Sequence, residues 1–373
     1  MRILLLGEYS NVHNTLAAGL RQLGHEVTVA SGGDFWKDYP RDIDLARRPG
    51  KLGGMRLLAK VYSLLPRWRD YDVVQLINPI FIDLKAERLF HIYHYLKKHN
   101  RRIVLGAMGM DWYWVHECTY RKPLRYSDFN IGDQVRTDAV AVKDQLDWLG
   151  TPKGQLNQLI ANDCNGIVAV LYEDYVCYEP YFPEKLRFIP LPIVPNPTPL
   201  HSPAVRGDLK SPTLTLPLKV FIGISKGRSI YKGIDIMLRA AEDVQKLYPT
   251  QLQLIKAEGV PFAQYQHLMD NSDAIMDQLY SYTPAMNALL AMSKGIVCIG
   301  GGEPENYEII GEKELQPIIN VQPNYESVRH ELEQLVLHPE RLPELKRQSI
   351  EYIHRHHDYI KVARQYESFY QQL

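Results

Sequence analysis

The sequence predicts an α/β protein built as two doubly wound, Rossmann-like domains facing a cleft. Short apolar runs alternate with segments of helical spacing from the first residues onward. A proline-rich stretch interrupts this alternation near the middle of the chain, and the alternation then restarts. The length of 373 residues also exceeds the roughly 250–300 at which a single core stops growing.

Ile3–Leu6 reads as a buried first strand, its apolar core too short for a signal peptide. The loop GEYSNVH (7–13) follows, then a helical pattern over 14–23 that Gly24 stops, then a strand over 25–30. Further strands are expected at 72–77, 102–107 and 185–190, with a helix at 84–99, and 161–170 continues the alternating pattern. Pro190, Pro192, Pro195, Pro197, Pro199, Pro203, Pro212 and Pro217 then crowd a segment without the N–H groups that regular structure requires. Beyond it, strands are expected at 218–224, 252–256, 274–276 and 296–299. Helices are expected at 233–247 and 285–292, with mostly helical chain from Tyr325. The expected organisation is a first domain over 1–195, a linker over 196–217, a second domain over 218–350 and a terminal helix over 351–373.

Composition sets limits on function. The chain is 45% hydrophobic and 23% charged, ordinary for a globular protein. Lys+Arg and Asp+Glu balance at 43 each, which gives no global field for nucleic acid. Cys118, Cys164, Cys177 and Cys298 lack C-x-x-C spacing and read as reduced thiols of a cytoplasmic protein. His91, His94, His354, His356 and His357 have no flanking carboxylate pattern, so no metal site is expected.

Two elements carry the functional signal. VFIGISKGRSIYKG (220–233) sets Lys226, Arg228 and Lys232 around glycines after a strand, and AMSKGIVCIGGG (291–302) leads to Glu303, Glu305 and Glu308. Cations beside a glycine-bared loop suit a diphosphate, because ammonium and guanidinium groups match its charge while bare N–H groups donate to it. Cations at a helix N-terminus also oppose its macrodipole and so ask for an anion. Gly301 and Gly302 would admit the phosphate closely. Asp277 and Gln278, after a short strand, face the predicted cleft or serve as surface caps. Glu308 is a site residue or a helix N-terminal carboxylate.

These residues resemble the nucleotide-sugar domain of GT-B glycosyltransferases, most closely glycosyltransferase family 4. The Lys/Arg loop and the Lys232-Gly233 helix start match that family's donor loop. LAMSKGIVC (290–298) is similar to its E-A-M-A-x-G-x-P-V-V element, and MDQLY (276–280) to a D-Q variant. The chain departs from the pattern at Tyr282 and Leu290, where the family carries glutamates, and at Met108, where many members carry histidine. The resemblance implies that Asp277, Gln278, Glu308 and the Tyr282 position contact nucleotide, ribose or sugar.

The resemblance implies a metal-independent, retaining transferase moving a sugar from a nucleotide-diphosphate donor to a sugar, glycan or lipid-linked hydroxyl. It places this in polysaccharide or glycoconjugate biosynthesis, with no cofactor. It also implies that the last helix crosses back to the first domain. Alternatives are a catalytically silent nucleotide-binding or partner-organising protein, and a nucleotide-sugar epimerase.

In the first domain, His13 is a candidate base replacing the missing histidine, although a lone loop histidine is more often exposed. Asp111, before the aromatic run Trp112, Tyr113 and Trp114, is the other catalytic candidate. Ser10 and Asn11 either cap the first helix or contact acceptor or phosphate. The stretch from Arg47 to Arg69 carries Arg47, Arg48, Lys51, Arg56, Lys60, Arg67 and Arg69 and no acidic residue. It reads as an amphipathic helix packed on the sheet or as a peripheral contact with an anionic membrane.

Overall fold

The structure is a computed structural model that describes residues 1–196, 216–224, 227 and 229–373. One unit comprises Met1–Pro123, Val142–Pro192 and Tyr359–Leu373; the other comprises Leu124–Ala141 and Ile193–Asp358. In chain order the first strands are β1 (Arg2–Leu6), β2 (Glu26–Ser31), β3 (Ile43–Asp44), β4 (Val73–Leu76) and β5 (Ile103–Ala107). A small hairpin, β6 (Asn130–Ile131) with β7 (Gln134–Val135), precedes β8 (Gly166–Ala169) and β9 (Leu186–Phe188). The second unit adds β10 (Leu218–Ile224), β11 (Leu252–Glu258), β12 (Ala274–Met276), β13 (Val297–Gly300) and β14 (Ile319–Asn320).

The first sheet runs β3-β2-β1-β4-β5-β8-β9 with every pair parallel. Parallel strands need crossover segments that cover both faces, so their side chains are buried on both sides. Ile3, Leu4, Leu5 and Leu6 accordingly have no exposed surface. The second sheet runs β11-β10-β12-β13-β14, also parallel. Strand order reverses at β1/β4 in one sheet and at β10/β12 in the other. Loops leaving the carboxyl ends of such strands diverge to opposite faces and open a crevice.

Helix Ile234–Leu247 shows how the second core forms. Ile234, Met237, Ala241 and Val244 recur at helical spacing and are buried against Val220 and Ile222 of β10 and Met276 of β12. Val328, Leu332 and Leu335 of helix Tyr325–Leu337 join the same core. Each large aliphatic side chain fully buried there contributes about 1.5–3 kcal/mol.

The final helix, Tyr359–Gln372, belongs to the first unit and lies against helix Val12–Gln22. Gly19 makes this approach possible, because a Cβ there would sit 2.5 Å from the carbonyl oxygen of Tyr359. Tyr370 Oη donates to Gln75 Oε1 at 2.6 Å, and His25 Nε2 lies 2.8 Å from Glu367.

Two boundaries differ from the sequence expectation. Leu124–Ala141 belongs to the second unit although it falls within the 1–195 expected of the first domain. Its side chains bond to Glu303 and to the 230–231 backbone, contacts between residues about a hundred or more positions apart that no local pattern announces. The terminal helix begins at Tyr359 rather than 351, after a π-helical segment at Ile353–His357 whose His357 carbonyl accepts from Ile193 N at 2.7 Å. Of the expected linker, only 196, 216 and 217 fall within the described residues.

Candidate functional site

In the second unit the switch point brings together the turn after β10 and the loop after β12. The short helix Ser229–Lys232 ends at Gly233, whose φ of 69° suits glycine. A Cβ at Gly233 would also fall 2.6 Å from that of Leu279, and Leu279 N donates to the Lys232 carbonyl at 3.0 Å. Asp277 follows β12 directly and is half-buried. Burial pushes its carboxyl above the ordinary carboxylate range, opposed by the nearby Lys232 charge and by hydrogen bonds from Asn287 and Gln278. Asn287 Nδ2 also donates to Tyr265 Oη at 3.0 Å, and that hydroxyl lies where a side chain at Gly223 would be. Lys232, Asp277, Gln278 and Asn287 thus form one polar group at the carboxyl end of β10 and β12. Lys226 and Arg228 lie outside the described residues.

The glycine loop has a different use from the one expected. A Cβ at Gly301 would lie 2.1 Å from the Ser281 carbonyl oxygen, and one at Gly302 would lie 2.7 Å from Ile318 Cγ2. Gly302 N already donates to Asn320 Oδ1 at 3.1 Å. Close packing by the protein itself accounts for both glycines. Tyr282 is 1% exposed and accepts from Arg125 N at 2.7 Å. Glu308 is exposed in the last turn of helix Pro304–Ile309, not at its N-terminus.

Glu303 holds that N-terminal position instead. Its buried carboxylate accepts from Tyr126 Oη at 2.6 Å, Arg125 at 2.8 Å and Gln322 Nε2 at 2.8 Å. Burial would raise its pKa, yet these hydrogen bonds, one from Asn320 and the Arg125 charge hold it below the usual carboxylate range. Sequence reading missed Arg125, Tyr126 and Glu303 as a group. The local signal was a hairpin turn in NIGDQV (130–135), which marks a turn and not its destination.

The first-unit candidates are corrected more sharply. His13 is not exposed: it has no accessible surface, its Nδ1 faces the Gly7 carbonyl at 2.9 Å and its Nε2 lies 3.1 Å from Gln75 Nε2. The Gly7 carbonyl fixes Nδ1 as the donor and leaves Nε2 to accept from the Gln75 amide. Burial lowers its pKa to about 3. Both nitrogens are committed, so His13 has none left to take a substrate proton.

Asp111 is 1% exposed and caps helix Trp112–His116, accepting from Trp114 N at 2.9 Å and Tyr178 Oη at 2.5 Å. Burial pushes it up to about 6. Both of its oxygens serve the fold, and Tyr113 lies in an aromatic cluster with Tyr178, Tyr181 and Phe182.

Ser10 and Asn11 both adopt left-handed backbone, with φ of 52° and 72°. Neither side chain caps the helix that follows. Glu8 does so, accepting from His13 N at 3.2 Å and Asn14 N at 2.8 Å. Ser10 N donates to Asp34, and Asn11 Oδ1 accepts from Asn14 Nδ2.

Helix Gly53–Leu64 buries Gly53, Leu57 and Val61 and exposes Met55, Arg56, Lys60 and Tyr62. No helix among the described residues is long and apolar enough to cross a membrane. Also among the described residues, no group of three or more His, Cys, Asp or Glu is placed to hold a metal ion.

No family model matches the chain, and no curated protein matches it in sequence. Solved structures do match in fold. The sucrose-phosphate synthase of Thermosynechococcus elongatus superposes with a TM-score of 0.62 at 11% identity, covering 100% of this chain and 99% of that one. Anabaena HepE in complex with UDP gives 0.55 at 12% identity over 100% of both chains. UDP-GlcNAc 2-epimerase from Neisseria meningitidis, bound to UDP-GlcNAc, gives 0.52 at 12% over 100% of both. With its two parallel-sheet units, the chain has the GT-B fold.

Proposed function

We propose that this chain is a glycosyltransferase that moves a sugar from a nucleotide-diphosphate donor to a hydroxyl acceptor, of the retaining, metal-independent kind. Its place would be in polysaccharide or glycoconjugate synthesis in the cytoplasm. The observation that carries the reading is Lys232 beside half-buried Asp277 at the switch point of the second sheet. There a cation would neutralise the leaving diphosphate, the main electrostatic task as a glycosidic bond breaks. Lys226 and Arg228 would add to it, while Asp277, Gln278 and Asn287 would hold ribose or sugar hydroxyls. HepE, similar in fold, is described with UDP, with UDP and glucose, and with UDP-glucose.

Calorimetry with uridine, adenosine and guanosine diphosphates tests this directly. Lys232→Ala is expected to weaken the preferred diphosphate by about 1.5–3 kcal/mol, the worth of one charge-assisted contact. Unchanged affinity in that variant would remove the reading's centre.

A second reading is favoured by His13 and Asp111, which are both committed to the fold. A catalytically silent descendant would bind the nucleotide without releasing it from a sugar. Detection of free nucleoside diphosphate from a panel of sugar donors separates the two.

Peripheral membrane contact belongs to the same proposal. Leu52, Met55 and Tyr62 stand exposed beside Arg56, Lys60 and Arg67, an apolar stripe flanked by cations that matches an anionic bilayer. Sedimentation with phosphatidylglycerol vesicles should exceed that with phosphatidylcholine vesicles. The excess should vanish at 1 M salt, where the Debye length is about 3 Å, and on neutralising Arg47, Arg48, Lys51 and Arg56. Equal recovery at low salt would return the helix to simple packing on the sheet.

A further inference from the structure

We infer that Arg136 is a positioning residue for the donor diphosphate, aligning the Lys232 turn with the Asp277 loop; this rests on the donor reading above. The side chain of Arg136 is only 9% exposed. It donates to the Ile230 carbonyl at 3.1 Å and the Tyr231 carbonyl at 3.4 Å, both within the short helix Ser229–Lys232. Its guanidinium carbon lies 4.1 Å from the centroid of Tyr280, two positions after Gln278 in the loop that follows β12. From the same segment, Asp128 accepts from Tyr231 Oη at 2.5 Å.

A helix of one turn does not sustain itself, and the Ile230 carbonyl, which accepts from Gly233 N at 3.2 Å, takes a further bond from Arg136. The planar guanidinium fork reaches two carbonyls of the turn while its face rests on an aromatic ring, a combination an ammonium group does not reproduce. Arg136 therefore ties the turn carrying Lys232 to the loop carrying Asp277. Without that tie, the turn keeps the bonds to Leu279 and Asp128 but loses those to its two carbonyls, and the cost of restoring that order on binding would appear as lost affinity.

Uridine monophosphate and diphosphate, with the adenosine and guanosine pairs in parallel, are titrated into the wild type, Arg136→Gln, Arg136→Lys and Tyr231→Phe. The expected result is about a tenfold loss of diphosphate affinity in Arg136→Gln, with less than a twofold loss for the monophosphate. Arg136→Lys should recover little of it. Tyr231→Phe, which keeps the buried ring and loses the tether to Asp128, should lose about threefold in the same direction.

Wild-type affinity in Arg136→Gln, or full recovery in Arg136→Lys, would overturn the positioning role. Equal losses for mono- and diphosphate would show general loosening and overturn it too. If Arg136→Gln fails to fold, an unchanged diphosphate affinity in Tyr231→Phe overturns it. If the wild type binds no diphosphate, the donor reading itself falls and takes this inference with it.

Discussion

Replacing His13 by alanine is expected to destabilise the first unit by about 3–5 kcal/mol. The change empties a fully buried ring site and strands the Gly7 carbonyl and the Gln75 amide. Gln75 also accepts from Tyr370 of the last helix, so the loss should reach the terminal segment. The pH dependence identifies the cause. The folded-state pKa of about 3 lies below the ordinary 6.5, so between these values the unfolded chain binds a proton that the folded chain does not.

His13 therefore contributes its full stabilisation above about pH 6.5 and loses it as pH falls, by about 1.4 kcal/mol per unit. Neighbouring Glu8 has the opposite sign. Burial raises its pKa from 4.5 to about 7, so its contribution is present below 4.5 and lost as pH rises through 7. The stability difference between wild type and His13→Ala removes the Glu8 contribution common to both. Denaturant melts from pH 7 to 4 should show that difference shrinking below pH 6.5. A difference that stays constant would mean that His13 takes up its proton in the fold as readily as in the unfolded chain, contrary to its burial and two hydrogen bonds.

Gly301→Ala should cost about 3 kcal/mol in the second unit, the upper end of ordinary overpacking. The new methyl would meet the Ser281 carbonyl oxygen at 2.1 Å, and that atom is backbone that no rotamer change moves aside. Displacing it disturbs Tyr282, which accepts from Arg125 N and whose carbonyl accepts from Glu303 N at 3.1 Å. A melting temperature lowered by about 6–12 °C is the expected reading for a unit of this size. Unchanged melting with lost diphosphate binding would instead favour a phosphate contact at this glycine.

The sequence by itself determined the two parallel sheets. Strands buried on both faces must read as continuous apolar runs, and Ile3–Leu6 and Ile296–Ile299 do so whatever surrounds them. It also marked the turn at Lys232-Gly233 and the carboxylate after β12, because the carboxyl end of a strand in such a sheet is a local, periodic feature.

What it left open depended on distant partners. Gly301 and Gly302 look alike whether a phosphate or Ser281 and Ile318 fill the space above them, since glycine records only that something comes close. His13 and Asp111 have the composition of catalytic groups, and only Gln75, Tyr178 and the surrounding burial show them to be anchors. The segment Leu124–Ala141 left no apolar period to follow. Its place in the second unit is set by Arg125 on Glu303 and by Arg136 on the 230–231 carbonyls, charge-assisted contacts that exist only once the chain has brought them together.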